Sequence, residues 1–132
     1  MANRNPYTQS LHDRVINEAV KHLNQTDFDI YTNPGSLKNA GIGDKYPDII
    51  MTEKGKTTVK FIIEVETVDS INITEATDQW KKYSREISAT FYLMVPSERK
   101  NLAQQFCNQL GINVRFATFQ IDRLNNINFN FE

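Results

Sequence analysis

The run Thr57-Thr-Val-Lys-Phe-Ile-Ile-Glu-Val-Glu66 constrains the fold of this chain more than any other segment. Side chains of a strand alternate with a period of two, so Val59, Phe61, Ile63 and Val65 take one face and Lys60, Ile62, Glu64 and Glu66 the other. The Cα atoms of Glu64 and Glu66 then lie roughly 6.6 to 7 Å apart, with both carboxylates on one side of the strand. An isolated buried carboxylate is costly, so this face is expected to meet solvent, a cation or hydrogen-bond donors rather than to form core.

A second β-rich run, Asp48-Ile-Ile-Met-Thr-Glu53, precedes it and is joined to it by Lys54-Gly55-Lys56, which reads as a hairpin. Antiparallel pairing about that turn sets residues near 48 opposite residues 62 to 64, which brings Asp48 to the two glutamates. Upstream, Leu11, Val15, Ile16, Ala19, Val20 and Leu23 have helical spacing, predicting a helix over residues 9–24 with Thr8 or Ser10 as N-cap. Phe28, Ile30 and Thr32 predict a short strand, followed by a loop from Asn33 to Tyr46 that holds Gly35, Gly41 and Gly43.

Downstream, Thr74 is placed to cap a helix running to Glu86, with Ala76, Trp80, Tyr83 and Ile87 as its apolar side. Thr90-Phe-Tyr-Leu-Met-Val95, bounded by Pro96, reads as a buried strand, and Ser97 as the cap of a helix that ends at Gly111. Trp80, Phe91, Tyr92 and Phe106 are expected in the core or at an interface. Ile112 to Ala117 predicts a last core strand, and residues 119–132 an edge strand or an arm onto a second subunit. No repeat or linker divides residues 1–132, so the expected fold is a single α/β domain in which the strand, helix, strand passage makes parallel neighbours by a right-handed crossover.

At 132 residues, 39% hydrophobic and 23% charged, the chain suits one core. The net charge of −1 gives no overall positive field, so any nucleic-acid contact must be local. Lys81, Lys82, Arg85, Arg99 and Lys100 are the basic residues expected to make it, against the ordinary alternative of a solvated helix face. The lone Cys107 cannot form an intramolecular disulfide and is expected as a buried thiol in a reducing compartment. The start, MANRNPYTQS, lacks an apolar signal core and no apolar run reaches membrane-spanning length, so a soluble, cytoplasmic protein that contacts no membrane is expected. Gly41-Ile-Gly43-Asp-Lys45 lacks the GK[ST] ending and the strand, loop, helix order of a phosphate-binding loop.

Asp48, Glu64 and Glu66, converging with a backbone carbonyl, would make a hard oxygen site suited to Mg²⁺ or Mn²⁺ rather than zinc, for which Cys and His ligands are too few. Pro47-Asp48, a hairpin, Glu64-Val65-Glu66, a helix and a buried strand together resemble the PD-(D/E)XK nuclease superfamily over nearly the whole chain. The resemblance implies a restriction-endonuclease-like αβββαβ core, a central mixed sheet flanked by helices, with one more helix and strand. It implies Asp48 and Glu64 as metal ligands, the Val65 carbonyl as a further one, and a metal-dependent nuclease acting on nucleic acid, DNA before RNA, in some cases as a homodimer. Glu66 stands where that superfamily carries lysine, so it is expected to act as a base or to help hold a second metal.

Gln79-Trp-Lys-Lys-Tyr83 resembles the QxxxY pattern of RecB-like and lambda-exonuclease-like branches, with Gln79 and Tyr83 one turn apart on one helix face. Lys82 is expected to reach in from that helix in place of the missing lysine. Glu18 corresponds to an auxiliary acidic residue in such proteins, with His22 one turn on; the surface alternative stands beside both. His12 carries the weakest expectation, and Asp44 belongs either to the metal site or to its turn. A catalytically silent domain of the same fold, binding nucleic acid or a protein, is the competing expectation.

Overall fold

The computed structural model describes residues 4–35 and 37–132. Met1–Asn3, within the polar amino-terminal stretch, and Ser36, within the glycine-containing loop, lie outside the described residues. Helix α1 spans Pro6–Val20, three residues ahead of the expected start. Asn5, not Thr8 or Ser10, is its cap: the Asn5 side chain accepts from Thr8 N–H at 2.9 Å, and Pro6 follows where a missing N–H costs nothing.

Strands β1 (Phe28–Thr32), β2 (Ile49–Glu53) and β3 (Val59–Val65) form an antiparallel meander. A bulge opposite Met51 and Thr52 takes up Lys60, so Val59 leaves the face expected for it and packs with Ile62 instead of Phe61. One helical stretch follows, made of α2 (Ile73–Glu75), a π-turn (Ala76–Trp80) and α3 (Lys81–Glu86). Its cap is Asn72 rather than Thr74, the Asn72 side chain accepting from Glu75 N–H at 2.9 Å. Strand β4 (Thr90–Pro96) lies parallel to β3, as the crossover requires.

Ser97–Arg99 form a 3₁₀ turn, and helix α4 (Lys100–Leu110) starts after it, so Ser97 is not the helix cap. Gly111 ends α4 at φ 66°, the left-handed conformation its position called for. Residues 112–114 are spent leaving that turn, which moves the next strand, β5 (Arg115–Ile121), later than expected; it pairs parallel with β4. β6 (Ile127–Phe131) pairs antiparallel with β5 in its own chain, so the edge-strand alternative is the one realised.

The result is a six-stranded mixed sheet in the order β1-β2-β3-β4-β5-β6. One face packs Ile50, Ile62, Leu93 and Val95 against Trp80, Tyr83, Ala103 and Cys107 from the helices between parallel strands, and Phe91 joins this core. The other packs Ile49, Ile63, Val65 and Met94 against Val15, Ile16 and Ala19 of α1. Cys107 is a buried thiol, as expected, and its surroundings push its pKa up to about 11. Among the described residues, no helix is long and apolar enough to cross a membrane.

Candidate active site at the end of the sheet

β2 begins where β3 ends. Ile49 pairs with Ile63, which sets Asp48 beside Glu64 as the hairpin predicts. The two side chains continue the ladder past the last backbone pair: Glu64 Oε1 accepts from Asp48 N–H at 2.9 Å, and Asp48 Oδ2 accepts from Val65 N–H at 2.8 Å. Pro47 is fixed by Asn33, a buried residue whose Nδ2 donates to the Pro47 and Ala40 carbonyls, both at 2.7 Å. Asn33 Oδ1 accepts from the Asn39 and Ala40 amides at 2.8 and 2.9 Å, so one side chain ties the loop to the start of β2.

From α1, His12 places Nε2 at 3.0 Å from Asp48 Oδ2 and Nδ1 at 3.0 Å from Asp13 Oδ1. Burial alone would lower the pKa of His12, but the hydrogen bond and charge of Asp48 carry it above the usual value. Asp13 in turn accepts from Gly35 N–H at 2.8 Å, so helix, loop and strand meet at this ring.

From the opposite face, the π-turn brings Gln79 and Trp80 to the glutamates; its wider turn is closed by the Lys81 N–H on the Ala76 carbonyl. One end of the Gln79 amide faces acceptors and the other donors, so its nitrogen is the atom that points to the acceptors, 2.8 Å from Glu75 Oε2 and 3.2 Å from Glu64 Oε2. Tyr83 lies one turn on; burial and the Glu64 charge raise its pKa. Glu64, Glu75, Gln79 and Tyr83 line a cleft of about 230 Å³ together with His12, Asp48 and Arg4.

Of the three surroundings expected for that strand face, solvent, a cation or hydrogen-bond donors, the glutamates meet donors and not solvent. Glu64 is 3% exposed and Glu66 is 0% exposed. Burial, then the charges of Asp48 and Glu66, lifts Glu64 well above the ordinary carboxylate range. Burial, then Glu75, pushes Glu66 up to about 8. The donors that make this burial tolerable differ for each: Glu64 has Asp48 N–H and Gln79, whereas Glu66 Oε1 accepts from the Trp80 indole at 3.1 Å and Oε2 faces Arg4 Nη2 at 3.5 Å.

Three carboxylates, Asp48, Glu64 and Glu75, line the cleft with the Arg4 guanidinium and the His12 imidazole, and carboxylate oxygens are the ligand type of a hard divalent cation. Among the described residues, no group of three or more His, Cys, Asp or Glu is placed to hold a metal ion. Mg²⁺ ordinarily takes one or two carboxylates and fills its other positions with water and substrate oxygens, so Asp48 and Glu64 are the residues that would hold it. The expected Val65 carbonyl is taken by Arg4 Nη2 at 3.2 Å, and the Glu66 carboxylate is turned to Trp80 and Arg4.

Other expected residues lie elsewhere. Glu18 pairs with Lys21 on the surface of α1, and His22 packs against Phe129 at 5.2 Å between ring centroids. Lys82 is exposed and lies outside the cleft lining, its charge felt by Asp44. Asp44 is exposed at the rim, where Lys45 and then Lys82 hold its carboxyl below the usual range. Lys81, Lys82 and Arg85 lie on α3, ahead of β4, and Arg99 and Lys100 follow that strand. Lys100 is paired with Glu132.

Arg4, Glu75 and Asn33 carried no sequence expectation, and His12 only the weakest. Glu75 had a usable signal, since Glu75, Gln79 and Tyr83 recur at intervals of four on one helix face. Compared with protein-family models, with curated proteins and with solved structures, the chain matches none. The resemblance to PD-(D/E)XK proteins therefore rests on these residues and on the order of the strands.

Proposed function

We propose that the chain is a metal-dependent nuclease of PD-(D/E)XK type, with a restriction-endonuclease-like core, that hydrolyses phosphodiester bonds of nucleic acid, DNA before RNA, in the cytoplasm. The observation that carries this is the mutual engagement of Asp48 and Glu64 at the ends of β2 and β3, on the floor of a polar cleft. Burying several carboxylates together is unfavourable to stability, and a fold that retains them is best explained by use.

Bound Mg²⁺ or Mn²⁺ would polarise the scissile phosphate and lower the pKa of a water molecule. Asp48 and Glu64 hold the cation, and His12 fixes the orientation of Asp48. Gln79 orients Glu64 and Glu75, with Tyr83 behind it. Glu75 lines the cleft with its pKa raised by burial, which makes it the stronger base for a proton leaving the attacking water. A second subunit belongs to this reading where both strands of a duplex are cut.

One observation favours the silent-domain reading: Glu66 replaces the motif lysine and is buried, and Lys82 does not replace it. The two are separated by incubating the protein with DNA and RNA in Mg²⁺ or Mn²⁺ beside Asp48→Ala and Glu64→Ala. Cleavage by the wild type alone supports the nuclease; equal behaviour of all three proteins refutes it.

A further inference from the structure

Glu66 occupies the place of the motif lysine, and its carboxylate has two commitments. Oε1 accepts from the Trp80 indole at 3.1 Å, and Oε2, buried and without a hydrogen bond, lies 3.5 Å from Arg4 Nη2. Arg4 comes from the segment before α1, 62 residues away in the chain, and its side chain is 8% exposed. Three further contacts fix its plane: Nε donates to Thr67 Oγ1 at 3.0 Å, and Nη2 donates to the Val65 carbonyl at 3.2 Å and to Ser70 Oγ at 3.3 Å.

A guanidinium has five N–H groups, and these contacts engage only those on Nε and Nη2. Among the described residues, Nη1 makes no hydrogen bond, and Arg4 lines the cleft that Asp48 and Glu64 also line. A fixed, permanently charged fork with two donors to spare, beside two carboxylates that would hold a metal, suits a phosphate oxygen.

We propose that Arg4 is the phosphate-binding cation of this cleft, standing in for the absent motif lysine, and that Glu66 is the residue that positions it. The proposal deepens the nuclease reading and rests on it. A lysine at position 66 and an arginine at position 4 would repel each other, so the two arrangements are alternatives: a cation just past the end of β3, or a carboxyl group there that holds a cation brought from the amino-terminal segment. Glu66 then acts neither as a base nor as a metal ligand.

The test uses the full chain and a labelled single-stranded oligonucleotide, with binding read by anisotropy in Ca²⁺ and cleavage read in Mg²⁺, each variant being checked for folding by thermal melting. Arg4→Met is expected to weaken binding about tenfold and to flatten the dependence of log affinity on log salt by about one phosphate contact, which a merely structural role would not do. Arg4→Lys is expected to keep the salt slope. Glu66→Lys alone is expected to be impaired, while Arg4→Met/Glu66→Lys recovers cleavage about tenfold over Arg4→Met, because the cation returns just past the end of the strand. An unchanged salt slope and cleavage rate in Arg4→Met would overturn the proposal while leaving the nuclease reading intact. Failure of the double variant to improve on Arg4→Met would overturn the positioning role of Glu66. A wild type that neither binds nor cleaves overturns the nuclease reading and this proposal together. If Arg4→Met does not fold, Arg4→Lys and the double variant decide the matter by the same two readouts.

Discussion

His12 and Asp48 are joined at 3.0 Å, Nε2 to Oδ2, by a ring whose other nitrogen lies 3.0 Å from Asp13. Because Val65 N–H also falls on Oδ2, the Oδ1 atom of Asp48 is left for a cation. Removing such a partner ordinarily costs about 10- to 100-fold in metal affinity or activity. His12→Ala is therefore expected to lose that much in both Mn²⁺ affinity and cleavage. Unchanged values would show that the ring only fills space.

Stability without metal should fall as pH rises. In the unfolded chain Glu66 titrates near 4.5, and in the fold near 8, with Glu64 raised in the same direction. Below pH 4.5 these groups are neutral in both states and cost nothing; between that pH and about 8 the unfolded state gains charge that the fold resists. His12, raised by Asp48, acts in the same direction, since its protonated pairing is lost as pH rises through its folded pKa. Urea denaturation at pH 5.5 and pH 8 should differ by roughly 2 to 4 kcal/mol in favour of the lower pH, given about 1.4 kcal/mol per pKa unit. Glu66→Gln should flatten that dependence.

Asn33 is expected to be as sensitive as a ligand although it touches no substrate. Asn33→Ala removes four hydrogen bonds, one buried and three part-buried, that tie Ala40, Asn39 and Pro47 together. The cost is about 3 kcal/mol by chemical denaturation. Cleavage should fall further than stability alone explains, because Pro47 carries Asp48. A fully active, fully stable Asn33→Ala protein would contradict this role.

Lys82→Ala should change kcat/KM by no more than about twofold, the scale of a screened surface charge. The side chain is exposed and lies outside the cleft lining. A loss of two orders of magnitude would return Lys82 to the chemistry.

The strand pattern was legible because period-two alternation and the Lys54-Gly55-Lys56 turn determine register, and register alone brings Asp48 to Glu64. The spacing of four likewise gave Gln79 and Tyr83. Burial of Glu64 and Glu66 was not legible, because its compensation comes from Trp80, Gln79 and Arg4, which only the tertiary fold brings in. The π-turn is equally silent in sequence, though it aims Gln79 and Trp80 at the two glutamates. Arg4 was missed and His12 carried only the weakest expectation for the same reason: both lie more than 35 residues from the carboxylates they meet in the cleft, and no local spacing marks them. Helix starts were misplaced where several capping residues crowd together, Asn5 with Thr8 and Ser10, and Asn72 with Thr74.

The most direct measurement is a calorimetric titration of the metal-free protein with Mn²⁺, beside Asp48→Asn and Glu64→Gln. Both substitutions keep side-chain size and remove charge. The expected result is a binding event in the wild type that weakens at least about tenfold in each variant, as loss of one of two ligating carboxylates requires. A wild type that takes up no Mn²⁺, or variants that bind it as tightly as the wild type, would contradict the assignment of Asp48 and Glu64 as the metal-holding pair.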